Sequence, residues 1–179
     1  MSKVVLYIAM SLDGYIASGN DDISFLDSVS VAGEDYGYGE FYKDIDTVVI
    51  GRRTFDIINK LTDEFPHKDK TTYIVTRNSE LDANNINYYS GDIAELISNI
   101  KNNNSKDIFI DGGAELVNSL MEGNLIDEII ISVIPVLLGD GIRLFNTNYG
   151  LMDLKLISTK KFDSGLLQIR YLIVKFWIN

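Results

Sequence analysis

The stretch 108–141, IFIDGGAELVNSLMEGNLIDEIIISVIPVLLGDG, limits the architecture of this chain more than any other. Ile108, Phe109 and Ile110 run straight into Asp111-Gly112-Gly113. A helical pattern follows, and a β-branched run at 129–134 ends at Pro135 and the turn Gly139-Asp140-Gly141. Strand, glycine turn, helix, strand is the order of a βαβ unit, whose crossover makes the two strands parallel. Two adjacent glycines at a strand end let a ligand's phosphates come close to the backbone. A Gly-Gly turn alone is weak ground for a nucleotide site; other segments must supply the rest.

The segments before it repeat the pattern. Residues 4–10 read as a buried strand leading into the loop Ser11-Leu12-Asp13-Gly14-Tyr15-Ile16-Ala17, where Asp13-Gly14 is a turn signal. Residues 18–34, rich in Asp, Ser and Gly, read as a mobile surface connection with one apolar island at 23–26. A helix start is expected within 35–42, where Gly37 and Gly39 each cost roughly 1 kcal/mol. Residues 47–50 form a second strand that enters Gly51-Arg52-Arg53-Thr54 and a helix ending near Lys60. A third strand at 72–75 ends at Thr76-Arg77-Asn78, and Ile86–Tyr89 is a candidate fourth. Ser90-Gly91-Asp92 caps a helix over 93–101, and a polar run at 102–106 leads to the opening stretch. Beyond Gly141, residues 153–162 and 166–177 flank Asp163-Ser164-Gly165 as a long antiparallel hairpin.

Strands alternating with helices, then a closing hairpin, predict an α/β fold. Its sheet should be mixed and mostly parallel, with antiparallel strands at one edge. At 179 residues without repeat or linker the chain reads as one domain, 1–179. No apolar run reaches the ~18 residues of a membrane span, and MSKVVLYIAM lacks a cleavage pattern. The absence of cysteine permits a cytoplasmic address. A net charge of −10 argues against nucleic acid, which needs a basic surface. Yet three of the five arginines, Arg52, Arg53 and Arg77, directly follow predicted strands. They read either as a seat for one small anion or as solvated residues at element ends.

In a parallel sheet the C-terminal strand edges share one side, where ligands bind. Three such ends converge: Gly51-Arg52-Arg53-Thr54, Thr76-Arg77-Asn78 and Asp111-Gly112-Gly113-Ala114. The helix starts after Gly51 and Gly113 would offer N–H groups to a pyrophosphate. Arg77 with Thr76 could meet an extra ribose phosphate, favouring NADPH over NADH. The full G-x-G-x-x-G fingerprint is absent, which disfavours an ordinary Rossmann dehydrogenase.

Four segments in this order, IAMSLDGYIA, DTVVIGRRTFD, YIVTRN and IFIDGGAEL…NLIDEIIISVIPVLLGDGIRLF, resemble the dihydrofolate reductase-like superfamily. Within it they are most similar to the RibD C-terminal domain, the reductase part of the riboflavin-biosynthesis deaminase/reductase. The resemblance covers essentially the whole chain and implies a three-layer fold and an NADPH-dependent reductase. It implies that Ala9 and Ile16 flank the nicotinamide, that Arg52, Arg53 and Thr54 hold the pyrophosphate, and that Thr76 and Arg77 hold the adenosine end. Gly112, Gly113, Ala114, Glu115 and Leu116 would line the other side of the cofactor. Ser132 would sit near the substrate, and Asp140 would support a loop. Two departures leave the substrate open. The riboflavin-pathway reductases commonly carry a lysine where this chain has Tyr15, and the Gly51-Arg52 pair looks more like the folate reductases.

Folate reductases carry one acidic residue on their first helix that binds and helps protonate the pterin. Asp35 falls at the comparable place, with Glu34 its rival. A carboxyl group in an apolar pocket has a raised pKa suited to donating a proton; otherwise Asp35 is a surface carboxylate near a helix start. Tyr36 and Tyr38 are candidates to stack on a flat heterocycle, or else core-edge tyrosines. Asp13 reads as a turn former, and the only histidine, His67, as solvated in a polar loop. Asp127-Glu128 lacks the spacing of a metal site. The expected activity is reduction of a pyrimidine- or pterin-like ring, resembling 5-amino-6-(5-phosphoribosylamino)uracil reductase. Dihydrofolate reduction is the alternative, and NADPH binding without catalysis the alternative of another class. The closing hairpin reads either as a homodimer surface or as ordinary strands of the sheet.

Overall fold

The computed structural model describes residues 2–78, 82, 84–146 and 149–175. Eight strands form one sheet in the order β5-β4-β3-β6-β1-β7-β10-β9. These are β1 (Val4–Ser11), β3 (Ile45–Gly51), β4 (Thr71–Val75), β5 (Ile86–Tyr89), β6 (Asp107–Gly112), β7 (Glu128–Ile134), β9 (Leu154–Lys161) and β10 (Leu167–Ile173). Pairings from β5 through β7 are parallel, whereas β7–β10 and β10–β9 are antiparallel. The mixed, mostly parallel sheet with an antiparallel edge is thus observed. A separate ribbon pairs β2 (Tyr15–Ala17) with β8 (Ile142–Arg143).

Alternation along the strands makes three layers. On one face Val4, Leu6, Val49, Ile108, Ile110, Ile129 and Ile131 pack against α3 (Ile93–Asn103) and α4 (Ala114–Glu122). The helices answer with Leu96, Ile97, Ile100, Leu116, Val117, Leu120 and Met121, at the spacing of a helix stripe. On the other face Val48 and Phe109 meet Tyr38, Phe41 and Tyr42 of α1 (Tyr38–Lys43). Ile50 and Ile74 meet Phe55 and Ile58 of α2 (Arg52–Leu61). As expected, the Asp92 side chain caps α3, accepting from the N–H of Ala94 at 2.7 Å.

The structure sharpens several boundaries. The connection 18–34 contains a short 3-10 helix, Ser24–Val29, anchored by buried Val29. The helix expected within 35–42 starts only at Tyr38. The second hairpin strand ends at Ile173, and Trp177 lies outside the described residues.

One core position breaks the rule that buried polar groups are paired. Thr72 is fully buried on β4, and its hydroxyl has no hydrogen-bond partner among the described residues. Thr72→Val keeps the shape and removes an unsatisfied group. It should therefore raise stability by about 1 kcal/mol, read as a higher denaturant midpoint at unchanged slope. A lower midpoint would show that the hydroxyl is satisfied in solution.

Candidate active site

Two helices start where two parallel strands end. Gly51 closes β3 and α2 begins at Arg52; Gly112 closes β6 and Gly113 precedes α4. The Gly112–Gly113 peptide is cis, and Gly112 has φ +101°, a region L side chains rarely adopt. A Cβ on Gly51 would lie 3.4 Å from the Gly113 nitrogen, and one on Gly113 would lie 2.7 Å from Thr54 Oγ1. The glycines therefore let the two helix starts press together. No side chain caps either helix, and α2 has no acidic residue in its first turn. The positive ends of both helices therefore point to one junction, the kind of place where an anion binds.

The arginines stand at this junction. Arg52 donates to both oxygens of Asp56 at 2.9 and 3.0 Å and stacks over Tyr88, 5.7 Å from the ring centre. Arg53 reaches back to Asp21, in the turn after β2, at 2.8 Å. A bound anion would compete with these carboxylates. Arg77 lines a cavity of ≈ 350 Å³ together with Ala114, Glu115, Asn118, Ser119, Glu122 and Asn146. Arg77, Ala114 and Glu115 are thereby brought together as a predicted cofactor wall. Leu116 instead turns into the core, and Thr76 closes the strand end, its hydroxyl accepting from the Asn78 N–H at 3.2 Å. Ile16 packs at the margin of the same core as Leu116.

A second cavity of ≈ 350 Å³ opens beside the β1–β7 pair, where Ala9 and Ser132 are register partners. Ala9, Ser132, Tyr36, Tyr38 and Asp35 all line it. Gln168, which the sequence did not single out, is not itself among the lining residues but holds three of them from behind. The register places it opposite Ser132, and its Nε2 lies 3.0 Å from the Tyr7 hydroxyl, 3.1 Å from the Tyr36 carbonyl and 3.2 Å from the Ser132 hydroxyl. An amide NH2 has two hydrogens for these three acceptors. Burial pushes the Tyr7 and Tyr38 hydroxyls above the usual phenol range, so both stay protonated.

The tyrosines are less free than stacking platforms. The Tyr36 hydroxyl donates to the Val29 carbonyl and lies 3.0 Å from Ser164 Oγ, while its ring meets Phe162 edge-on. Tyr38 stacks on Tyr42 with ring centres 5.4 Å apart. Asp35 does not have the environment expected of a proton donor. Its carboxylate is exposed and accepts from the N–H groups of Gly37 at 2.8 Å and Gly39 at 3.0 Å. Those bonds hold its carboxyl below the ordinary carboxylate range rather than above it. Physically, a short helix with glycines at its start leaves N–H groups that the nearby carboxylate takes.

His67 corrects the sequence reading outright. It is 3% exposed, with Nε2 3.1 Å from Asp111 Oδ2 and Nδ1 3.1 Å from the Tyr42 hydroxyl. Its polar loop folds back over the end of β6, so a residue read as solvated ties Asp111, beside the glycine turn, to α1. Asp13 behaves as the turn former expected. It accepts from Ser11, Leu138 and Gly139, and the Ser11 hydroxyl above all lowers its carboxyl to about 2. Tyr15 is buried under Arg143, whose guanidinium lies 4.6 Å from the ring centre, and is not among the residues lining the second cavity. Asp140 accepts from the N–H of Gly141 within the Gly-Asp-Gly turn. Among the described residues no group of His, Asp or Glu could hold a metal ion.

Comparisons with known proteins show the family and the fold. Residues 2–168 match the model of the RibD C-terminal domain. Protein YwjB of Bacillus subtilis (strain 168), itself uncharacterised, is 41% identical over 170 residues, covering 94% of this chain and 97% of that one. The structure of a protein from Shewanella sp. PV-4, whose name assigns it to riboflavin biosynthesis by inference, superposes with a TM-score of 0.89. The two are 25% identical, over 98% of this chain and all of that one (100%). A dihydrofolate reductase from Enterococcus faecalis, solved with NADP(H), superposes with a TM-score of 0.66 at 15% identity. The match covers 97% of both chains and shows a shared fold.

Proposed function

The chain belongs to the RibD C-terminal domain family, and from that premise we propose that residues 1–179 form one NADPH-dependent reductase domain acting on a pyrimidine- or pterin-like heterocycle. The observation that carries the reading is the junction of Gly51, Gly113 and Thr54 with Arg77 facing the start of α4. The glycines bring the two helix starts together beside Arg52, Arg53 and Arg77, a donor set whose chemistry suits the phosphates of a dinucleotide. NADPH, when bound, supplies the hydride.

The protein's part is to hold both partners and exclude water. Arg52, Arg53, Thr54 and the helix starts after Gly51 and Gly113 would hold the pyrophosphate. Arg77, with Thr76 behind it, would hold the 2′-phosphate, and Ala114, Glu115 and Leu116 would back the cofactor. The small side chain of Ala9, with Ile16 across the turn, leaves room for the nicotinamide. Ser132, held by Gln168, would orient the substrate ring against Tyr7, Tyr36 and Tyr38. Asp35 remains the substrate-facing carboxylate, but it is held ionised, so the proton comes from water at the cavity mouth.

Oxidation of NADPH should follow addition of a ribosylaminopyrimidine or a dihydropterin. NADPH binding without turnover on any heterocycle would replace this reading by a non-catalytic NADPH-binding protein. The position of Asp35 on the cavity favours dihydrofolate reduction as a second reading; it requires dihydrofolate to support oxidation and Asp35→Asn to abolish it.

No helix among the described residues is long and apolar enough to cross a membrane. Strand β9 is exposed along its length, with Leu154, Leu156 and Ile157 about half exposed on an open sheet edge. Such an edge invites pairing, and we propose that it forms a homodimer. Sedimentation should then show a dimer that Leu156→Lys converts to a monomer; a monomeric wild-type protein removes the proposal.

A further inference from the structure

The heterocycle cavity has a one-sided charge. Its mouth is formed by Asp27, Glu34 and Asp35, all exposed, over a floor of Tyr7, Tyr38 and Ser132. None of the 16 lysines and arginines lines it, and all 16 fall within the described residues. Two cations that act on Asp35 lie outside the lining. Lys160 sits over the Phe162 ring, with its Nζ 4.6 Å from the centre and close enough to act on Asp35, and Lys43 is paired with Glu40 at 2.8 Å.

Backbone groups cannot substitute for the missing cations. A phosphate is seated by arginines, lysines or free N–H groups at a turn or helix start. Here the N–H of Tyr36 donates to Glu34 at 2.8 Å, and those of Gly37 and Gly39 donate to Asp35. These three donors beside the mouth already serve carboxylates. What that rim can accept is the opposite kind of group, an amino or ring N–H donor that is neutral or positively charged.

We propose that this cavity takes an unphosphorylated amino-substituted heterocycle and discriminates against its phosphorylated form. The inference rests on the reductase reading and narrows its substrate. A phosphate dianion brought to the mouth would face like charge from three side chains and find no counter-ion in the lining. Repulsion at such distances, reduced by salt, corresponds to roughly tenfold or more in affinity.

The test compares 5-amino-6-ribosylaminouracil with its 5-phosphate, by NADPH oxidation and by calorimetric binding in the presence of NADP+. The expected result is kcat/KM and affinity about tenfold or more higher for the unphosphorylated compound, the gap narrowing in high salt. Asp27→Lys with Glu34→Lys should improve binding of the phosphorylated compound by about tenfold. Equal or tighter binding of the phosphorylated form by the wild-type protein overturns the inference. A preserved binding preference without NADPH oxidation overturns the reductase reading alone, and no binding of either compound overturns both.

Discussion

Gly113→Val should lower NADPH affinity by about a hundredfold while leaving the protein folded. A Cβ at this position lies 2.7 Å from Thr54 Oγ1, closer than real Cβ contacts come, and valine adds two further methyls. The φ of Gly113 is −77°, outside the left-handed region, so the effect of the substitution is steric: it pushes the Thr54 side chain out of place and puts valine methyls where the starts of α2 and α4 meet. A displacement of about 1 Å in a pre-arranged site costs on the order of a hundredfold. Gly150→Ala, where a Cβ meets nothing within 4 Å, is the matching control and should bind as the wild type does. Titration calorimetry with a melting curve for each variant checks both statements. Unchanged affinity in Gly113→Val would remove the glycine turn from the cofactor site.

Arg77→Ala should weaken NADPH binding by roughly ten- to a hundredfold and leave NADH binding nearly unchanged. A charge-assisted bond to a phosphate is worth about 1.5–3 kcal/mol. Among the described residues, Arg77 is also the only cation lining its cavity, which it shares with Glu115 and Glu122. Removing it leaves two carboxylates to face a 2′-phosphate, so the loss should lie towards the upper end. NADH lacks that phosphate and provides the internal control. Equal losses for both cofactors would show that Arg77 supports the pocket without reading the phosphate.

The sheet was legible because its signals are local. The β-branched run at 129–134, the glycines after β3 and β6, and the turn Asp163-Ser164-Gly165 each specify short pieces of chain whose order leaves few topologies. The same holds for Asp92 as a cap and Asp13 as a turn former. What escaped depends on contacts distant in sequence. Gln168 reaches Ser132 only through the β7–β10 register, which no residue pattern announces. His67 lies in a loop whose composition is polar, and its burial follows from the loop's return to Asp111, 44 residues away. Asp35 lines the cavity, and of its two readings the exposed carboxylate near a helix start is the one observed: the two glycine N–H groups, which sequence does not place, outweigh burial.

Hydride transfer itself can be measured directly. NADPH carrying deuterium at nicotinamide C4 should give, with the most active heterocycle, a product one mass unit heavier, with label lost from the cofactor in equal amount. A product formed without the label, from either face of the labelled ring, would contradict the assignment of this cleft as an NADPH-dependent reductase site.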